Sequence, residues 1–487
     1  MNAMSRARIA PRTLALVAAA LSLATMPTRA HALTLQVGPG RTYTTVADAI
    51  AAAGDGDVIE VDAGRYAGEF ATIHANDLTI RGIGGFAHLD ASGTTLSNGK
   101  AIWVQQGNNL TLENIEMSGA SVPDQNGAGV RVEADGLTVR HCYFHHNENG
   151  ILGGDGASDE ILIEDSEFAD NGFGDGYSHN IYIGRALSLT VRGSWFHHAH
   201  VGHELKSRAS INILLGNRFS NEDGDASYEV DLPEGGVAIL VGNVIQQGEN
   251  TGNSTIVSFA EENQMWPIQE LYVVNNTVVN DRVRGATFVR YGGTPAVVLR
   301  NNLFVGAGMV LSGSGGSVTM EGNLNMASFP FADAANYDYH LLAGSPAIDV
   351  GVDPGTGDGR SLMPAIQYLH PASSEARSVV GSAIDVGSFE FGNVAGTMDA
   401  GTPTDAGATG DDAGTTRDSG ASGSDASTPG DGSVTADDAS TTTTTSGGCG
   451  CRASASGSGT SAGWLGALLL LGLAWRRRRS PSAQRRN

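Results

Sequence analysis

Nine short β-rich runs end on residues that fall into one column: Ile115, Cys142, Ser166, Ser194, Asn217, Asn243, Asn276, Asn302 and Asn323, spaced 21 to 33 residues apart. Typical runs read Leu110-Thr-Leu-Glu-Asn-Ile115 and Leu137-Thr-Val-Arg-His-Cys142. Two residues further on, a second column reads Met117, Phe144, Phe168, Phe196, Phe219, Ile245, Val278 and Phe304. A period in the twenties is too short for repeats built of helix pairs. It fits a parallel β-solenoid, whose coils stack about 4.8 Å apart and place equivalent residues over one another. The asparagines can then pass hydrogen bonds from coil to coil at a bend, and the phenylalanines can stack inside. Cys142 shares the bend column and reads as a small buried residue. A β-sandwich or propeller is the competing architecture for so many short strands.

Charge divides the chain. The 487 residues hold 52 acidic and 29 basic side chains, a net charge of -23. That excludes a nucleic-acid binder, which needs basic surface to displace counterions from phosphates. Residues 1–32 carry Arg6, Arg8, Arg12 and Arg29 with no acid, an apolar run Leu14–Ala24, and then Ala30-His31-Ala32. This is the pattern of a secretory signal peptide, and the run is short of the ~20 residues a membrane helix needs. Residues 397–446 hold nine Asp and one Arg among Thr, Ser, Ala and Gly. Such a tract buries too little apolar area to offset its ordering entropy, so it reads as a solvated linker. Residues 447–487 contain Cys449-Gly-Cys451, a small polar spacer, an apolar run Trp464–Trp475 and Arg476–Arg479. The body, residues 33–396, keeps 43 acids against 17 bases. Three cysteines in all make no disulfide framework.

The tail's order of Cys pair, apolar segment and arginine cluster resembles the MYXO-CTERM sorting signal of myxobacterial surface proteins. That resemblance implies export, cleavage near Cys449 or Cys451, and retention at the outer surface; a weak C-terminal membrane anchor is the alternative. At the front of the body stand Val37-Gly-Pro-Gly-Arg-Thr-Tyr43, a helix from Val46 to Ala53, Gly54-Asp-Gly-Asp-Val-Ile-Glu60 and Ala63-Gly-Arg-Tyr66. These resemble the entry of right-handed β-helix proteins of the pectin-lyase-like class. Gly344-Ser-Pro-Ala-Ile-Asp349 and Asp385-Val-Gly-Ser-Phe389 resemble closing segments of related secreted β-helix proteins. The resemblance implies an all-β, right-handed parallel β-helix over 33–396, with a short N-terminal helix blunting its open edge.

Fold does not select function here, so the chemistry has to be found in side chains. Eight of the 13 histidines fall between His141 and His203, and Lys206 is one of only two lysines, with Lys100. Three successive copies of one strand read His179-Asn-Ile-Tyr182-Ile-Gly, Gly202-His-Glu204-Leu-Lys206-Ser-Arg208 and Tyr228-Glu229-Val-Asp231-Leu. Alternation turns Ile181, Ile183, Leu205 and Val230 inward and Tyr182, Glu204, Lys206, Glu229 and Asp231 outward. Lys206, Arg208, Tyr182, His179 and His203 are therefore the expected catalytic set; Glu204, Glu229, Asp231, His198 and Arg290 are the expected substrate contacts. β-Elimination at a uronate needs a base for H5, an acid for O4 and a cation for the carboxylate, and this set supplies all three. Lys206-Ser207 also resembles the Lys-Ser-Ser motif of β-helix alginate and chondroitin lyases, with Arg208 in the third place. In that family Lys is the base and an Arg the acid.

The run His197-His198-Ala-His200-Val-Gly-His203 lacks the spacing of a known metal site, so no metal is assigned. No cofactor is written into the sequence; Ca²⁺ bridging acid to acid is the one candidate, with Asn221-Glu222-Asp223-Gly224-Asp225 the only dense acidic stretch. Four residues past the bend column, His146, Asp170, His198, Asn221, Gln247 and Asn280 form a polar row that suits a linear glycan. The expected partner is an extracellular or cell-surface polysaccharide, met by a monomer. Three functions stay open: a polysaccharide lyase, a non-catalytic glycan-binding or adhesive β-helix, and a glycoside hydrolase using two of Glu204, Glu229 and Asp231. The acidic body counts against a polyanion unless Arg185, Lys206, Arg208, Arg218, Arg282 and Arg290 form one local patch.

Overall fold

The computed structural model describes residues 32–156 and 158–393, all within the first of two compact units, Met1–Pro403. The signal-like start up to residue 31, the acidic linker and the Cys/Arg tail lie outside the described residues. Among the described residues no helix is long and apolar enough to cross a membrane.

The bend column is where the chain turns, and its local cause is backbone conformation. The residue before each column position has a left-handed φ: Asn114 54°, His141 47°, Asp165 46°, Gly193 60°, Gly216 55°, Gly242 70°, Asn275 51°, Asn301 53° and Gly322 63°. Side chains branched at Cβ are strained there, which explains why these places hold Gly, Asn, Asp and a single His. The column residue then bonds upward. Asn217 donates through both its backbone N (2.9 Å) and Nδ2 (3.0 Å) to Asn243 Oδ1, and the pattern repeats from Asn243 to Asn276, Asn276 to Asn302 and Asn302 to Asn323. Ser166 and Ser194 extend the chain of bonds down to Cys142, each accepting from the backbone N below.

One coil consists of Leu137–Arg140, Tyr143–His145 and Asn149–Gly153, and the next of Glu160–Glu164, Glu167–Ala169 and Ile181–Ile183. Every pairing between these coils is parallel. Strands of the first two positions join in a 21-stranded sheet and those of the third in a 10-stranded sheet, giving a prism with three faces. Parallel strands joined by such crossovers wind right-handed, and the fold is a right-handed parallel β-helix. Inside, Phe144, Phe168, Phe196 and Phe219 stack at centroid spacings of 4.9, 4.7 and 5.1 Å. Helix Val46–Ala52, capped by Thr45 Oγ1 accepting from Asp48 N (3.2 Å), closes the first coil by burying Val46, Ala49 and Ile50.

After the last coil the chain folds back as three antiparallel hairpins, among them Phe331–Asp333 with Asp338–Leu341 and Ile366–Leu369 with Ser373–Ala376. The two closing segments bond to each other, Asp349 N to Asp385 Oδ1 at 2.7 Å and Val386 N to Ala347 O at 2.9 Å. This segment covers the second face over Val244, Val279, Leu303 and Val305 with Phe329, Phe331, Tyr339 and Phe389. The N-terminal half of that face stays uncovered by it, so a wall ends partway along the solenoid.

Candidate functional site

On the third face the register sets Val104, Arg131, Leu152, Tyr182, Lys206, Asp231, Ser258 and Arg290 in one outward row. Tyr182, Lys206 and Asp231 are neighbours on successive coils, as alternation requires. Lys206 Nζ lies 3.4 Å from Asp231 Oδ2, 3.9 Å from Glu262 and 5.8 Å from the Tyr182 ring centroid. Arg208 Nε donates to the Tyr182 hydroxyl at 2.9 Å, while its other nitrogens reach Glu234 at 3.0 Å and Glu262 at 2.7 Å. Burial works against the Arg208 charge, yet these bonds hold its pKa above the ordinary value.

His179 and His203 lie beside this row, their rings stacked at 4.4 Å, with His179 Nδ1 accepting from His203 N at 3.0 Å. His203 Nε2 is 3.6 Å from Asp231 Oδ2. Burial, reinforced by the Lys206 charge, pushes His203 down to about 3, and burial with His203 and Lys206 carries His179 well below the usual range. Both rings are therefore neutral near pH 7. Burial raises the Asp231 pKa from its ordinary value despite the opposing pull of Lys206.

Glu204 and Glu229 correct the expectation of an outward pair. Both are wholly buried, because the strand's first residues sit at a corner where neighbouring positions face the interior together, as Ile256 with Val257 and Phe288 with Val289 do. Glu204 accepts from Ala199 N at 3.1 Å and from Asn180 Nδ2, and burial raises it to about 8. Neither carboxylate oxygen of Glu229 has a hydrogen-bond partner; burial and the adjacent Glu204 push it well above its ordinary value. Substrate contact by these two is excluded, and with it a hydrolase pair drawn from them.

The other expected contacts scatter. His198 stands on the second face, sharing hydrogen bonds with His197 (2.7 Å) and Asp223 (3.1 Å). Arg290 pairs with Glu261 at 2.7 Å, two coils beyond Asp231. The basic patch does not assemble. Arg185 and Arg208 share Glu234, Arg218 belongs to the second face, and each of these cations already has a carboxylate. The acidic stretch expected to hold Ca²⁺ diverges too: Asn221 is buried, Glu222 pairs with Arg218, Asp223 with His198 and Asp225 with His200.

Sequence reasoning passed over a second locus. Where the C-terminal wall ends, a cleft of about 430 Å³ is lined by Trp195, Arg218, Glu222, Tyr337, Asp338, Tyr339, His340, Tyr368 and His370, among others. Arg218 lies over the Trp195 ring at 5.5 Å and pairs with Glu222 at 2.9 Å; Trp195 stacks on His197 at 3.8 Å and meets His370 edge-on at 4.6 Å. Burial and the Arg218 charge keep His370 below its ordinary pKa. A signal was present: Tyr143-Phe-His145-His146 and Trp195-Phe-His197-His198 repeat one motif two coils apart.

Residues 66–225 match a family model described as a right handed beta helix region. Among solved structures, the chain is similar to pectate lyase Pel9A at 14% identity, covering 74% of this chain and 96% of that one, with a TM-score of 0.45. It is similar also to a mutant of the PL6 family alginate lyase AlyGC at 17% identity, covering 61% of this chain and 40% of that one, with a TM-score of 0.33. No curated protein matches it.

Proposed function

We propose that this chain is an exported, surface-held β-helix protein that cleaves a uronate-containing polysaccharide by β-elimination on the third face. The observation that carries this reading is the row Tyr182–Lys206–Asp231 with the Arg208 guanidinium bonded to the Tyr182 hydroxyl. Because that hydroxyl accepts from Arg208, its own proton is free to be given to the glycosidic oxygen O4. In its neutral form Lys206 takes H5, and Asp231 Oδ2, 3.4 Å from Nζ, holds the ammonium that results. The C4–O4 bond then breaks and a C4–C5 double bond forms, while Arg208, held by Glu234 and Glu262, orients the Tyr182 hydroxyl. Export and tethering rest on the basic–apolar start and the Cys/apolar/Arg tail of the sequence.

The test is incubation of the full chain with alginate, pectate and glycosaminoglycans while following ultraviolet absorbance of an unsaturated uronate. Product that appears with the native chain and vanishes in Lys206→Ala supports elimination. Release of reducing ends with no absorbance refutes it in favour of hydrolysis. A second reading, glycan binding without cleavage, is favoured by the ion pairs that occupy Lys206 and by the aromatic cleft at Trp195. Retained binding with no cleavage of any substrate decides for it.

A further inference from the structure

The second face carries two outward rows along its uncovered half. One runs Arg65, His88, Glu116, Tyr143, Glu167 and Trp195; the other runs Asp90, Ser118, His145, Ala169 and His197. Where the rows adjoin, His88, Glu116 and His145 bring one donor atom each to within 4.8 Å of the others. His145 Nε2 is 3.0 Å from Glu116 Oε1, and His88 Nδ1 is 3.5 Å from the same oxygen. Tetrahedral zinc with bonds of 2.0–2.2 Å spaces its ligands about 3.4 Å apart, between these two distances.

Proximity alone would be weak, but both rings are also held by their other nitrogen. His88 Nε2 shares a 2.7 Å hydrogen bond with Ser118 Oγ, and His145 Nδ1 shares a 2.8 Å bond with His146 Nδ1. Tyr143 stacks on His145 at 4.3 Å and fixes its plane. Metal-ligating histidines are oriented by such outer bonds, which leave the inner nitrogen as the ligand. The three side chains are 22%, 21% and 16% exposed, so an ion has a path in and water a place to bind.

The chain supplies its own comparison. Glu167, His197 and His198 repeat the Glu–His–His unit with bonds of 3.1 and 2.7 Å, but Tyr143 takes the row position of His88 and Ala169 that of Ser118. The second unit therefore lacks both the third donor and its anchor.

We propose that His88 Nδ1, a Glu116 carboxylate oxygen and His145 Nε2 bind one divalent transition-metal ion of the zinc class, leaving a fourth position for water or a ligand oxygen. Two imidazoles set this site apart from Ca²⁺ and Mg²⁺ sites, which are built from oxygen donors. The experiment uses the full chain without a polyhistidine tag, stripped by a chelator, titrated with Zn²⁺ by calorimetry and with Co²⁺ by visible absorption. One equivalent should bind, and the Co²⁺ spectrum should lack intense thiolate charge transfer, which separates this site from Cys449 and Cys451. His88→Gln and His145→Ala should each weaken binding by at least about tenfold, while His197→Ala, which removes the equivalent ring of the second unit, should not. Circular dichroism of each variant confirms that the coils remain. Absence of saturable binding, a thiolate-type spectrum, or a folded His88→Gln that binds like the native chain overturns the proposal.

Discussion

The second and third faces share the same coils and the same register, yet they use their outward rows in opposite ways. On the third face, cations and carboxylates stand one or two coils apart and cancel: Lys206 with Asp231, Arg208 with Glu234 and Glu262, Arg290 with Glu261. On the second face, short strands present rings, Tyr143 stacked on His145 and Trp195 on His197, whose polar atoms meet acids of the neighbouring coil. A closed charge network can move a proton but gives little unspent attraction for a polyanion. A ring ladder offers flat surfaces and donor atoms that a ligand can still engage. Density of charged residues and availability of charged residues are different properties.

The largest effect separates chemistry from binding. Lys206→Ala should lower the rate of unsaturated-product formation by ~10² or more, the scale of a lost general base, while Trp195→Ala keeps cleavage on soluble substrate. The reverse outcome would move the reaction to the second face.

Next comes the backbone that both faces depend on. Asn276 Oδ1 accepts from Asn243 N and Nδ2, and its Nδ2 serves Leu240 O, Val274 O and Asn302 Oδ1. Asn276→Ala leaves several buried groups unpaired, at ~1–3 kcal/mol each, so thermal unfolding should drop by many degrees with both faces lost together. Melting within a degree or two of the native chain would show that the coils hold without the ladder.

A smaller, signed effect comes from the corner between the faces. Glu204 keeps its proton up to about pH 8 when folded but sheds it near 4.5 when unfolded. The folded chain thus binds the extra proton in that window. Its contribution is full below 4.5 and is lost as pH rises to 8. Glu204→Gln should flatten the fall in melting temperature across this range; an unchanged slope would mean the buried group is charged in the fold.

The smallest effect sharpens the second face. Trp195→Ala should weaken binding of an oligosaccharide by about 1 kcal/mol, roughly fivefold, read by calorimetry.

The repeating part of this molecule could be read from its sequence because stacking imposes a period: the bend residues, the Phe column and the Tyr182–Lys206–Asp231 row all follow from it. What stayed hidden broke either the alternation or the period. Glu204 and Glu229 turn inward because a corner presents adjacent residues to the same side. His88, Glu116 and His145 meet only through cross-coil register, which is hidden while coil lengths vary. The wall over Val244 and Leu303 comes from hairpins with no repeat, so the cleft at its edge left no periodic trace.

The bend column also sets the phase of the molecule. The interval from Asn243 to Asn276 is 33 residues and that from Asn302 to Asn323 is 21, yet Val244, Thr277, Leu303 and Leu324 remain in one file. Each turn is clocked afresh where its asparagine engages the next, and surplus residues are discharged into a loop before the following tick. Loops can therefore lengthen, shorten or be exchanged without rotating any downstream row, and a surface pattern laid along this solenoid is protected from insertions in its own turns.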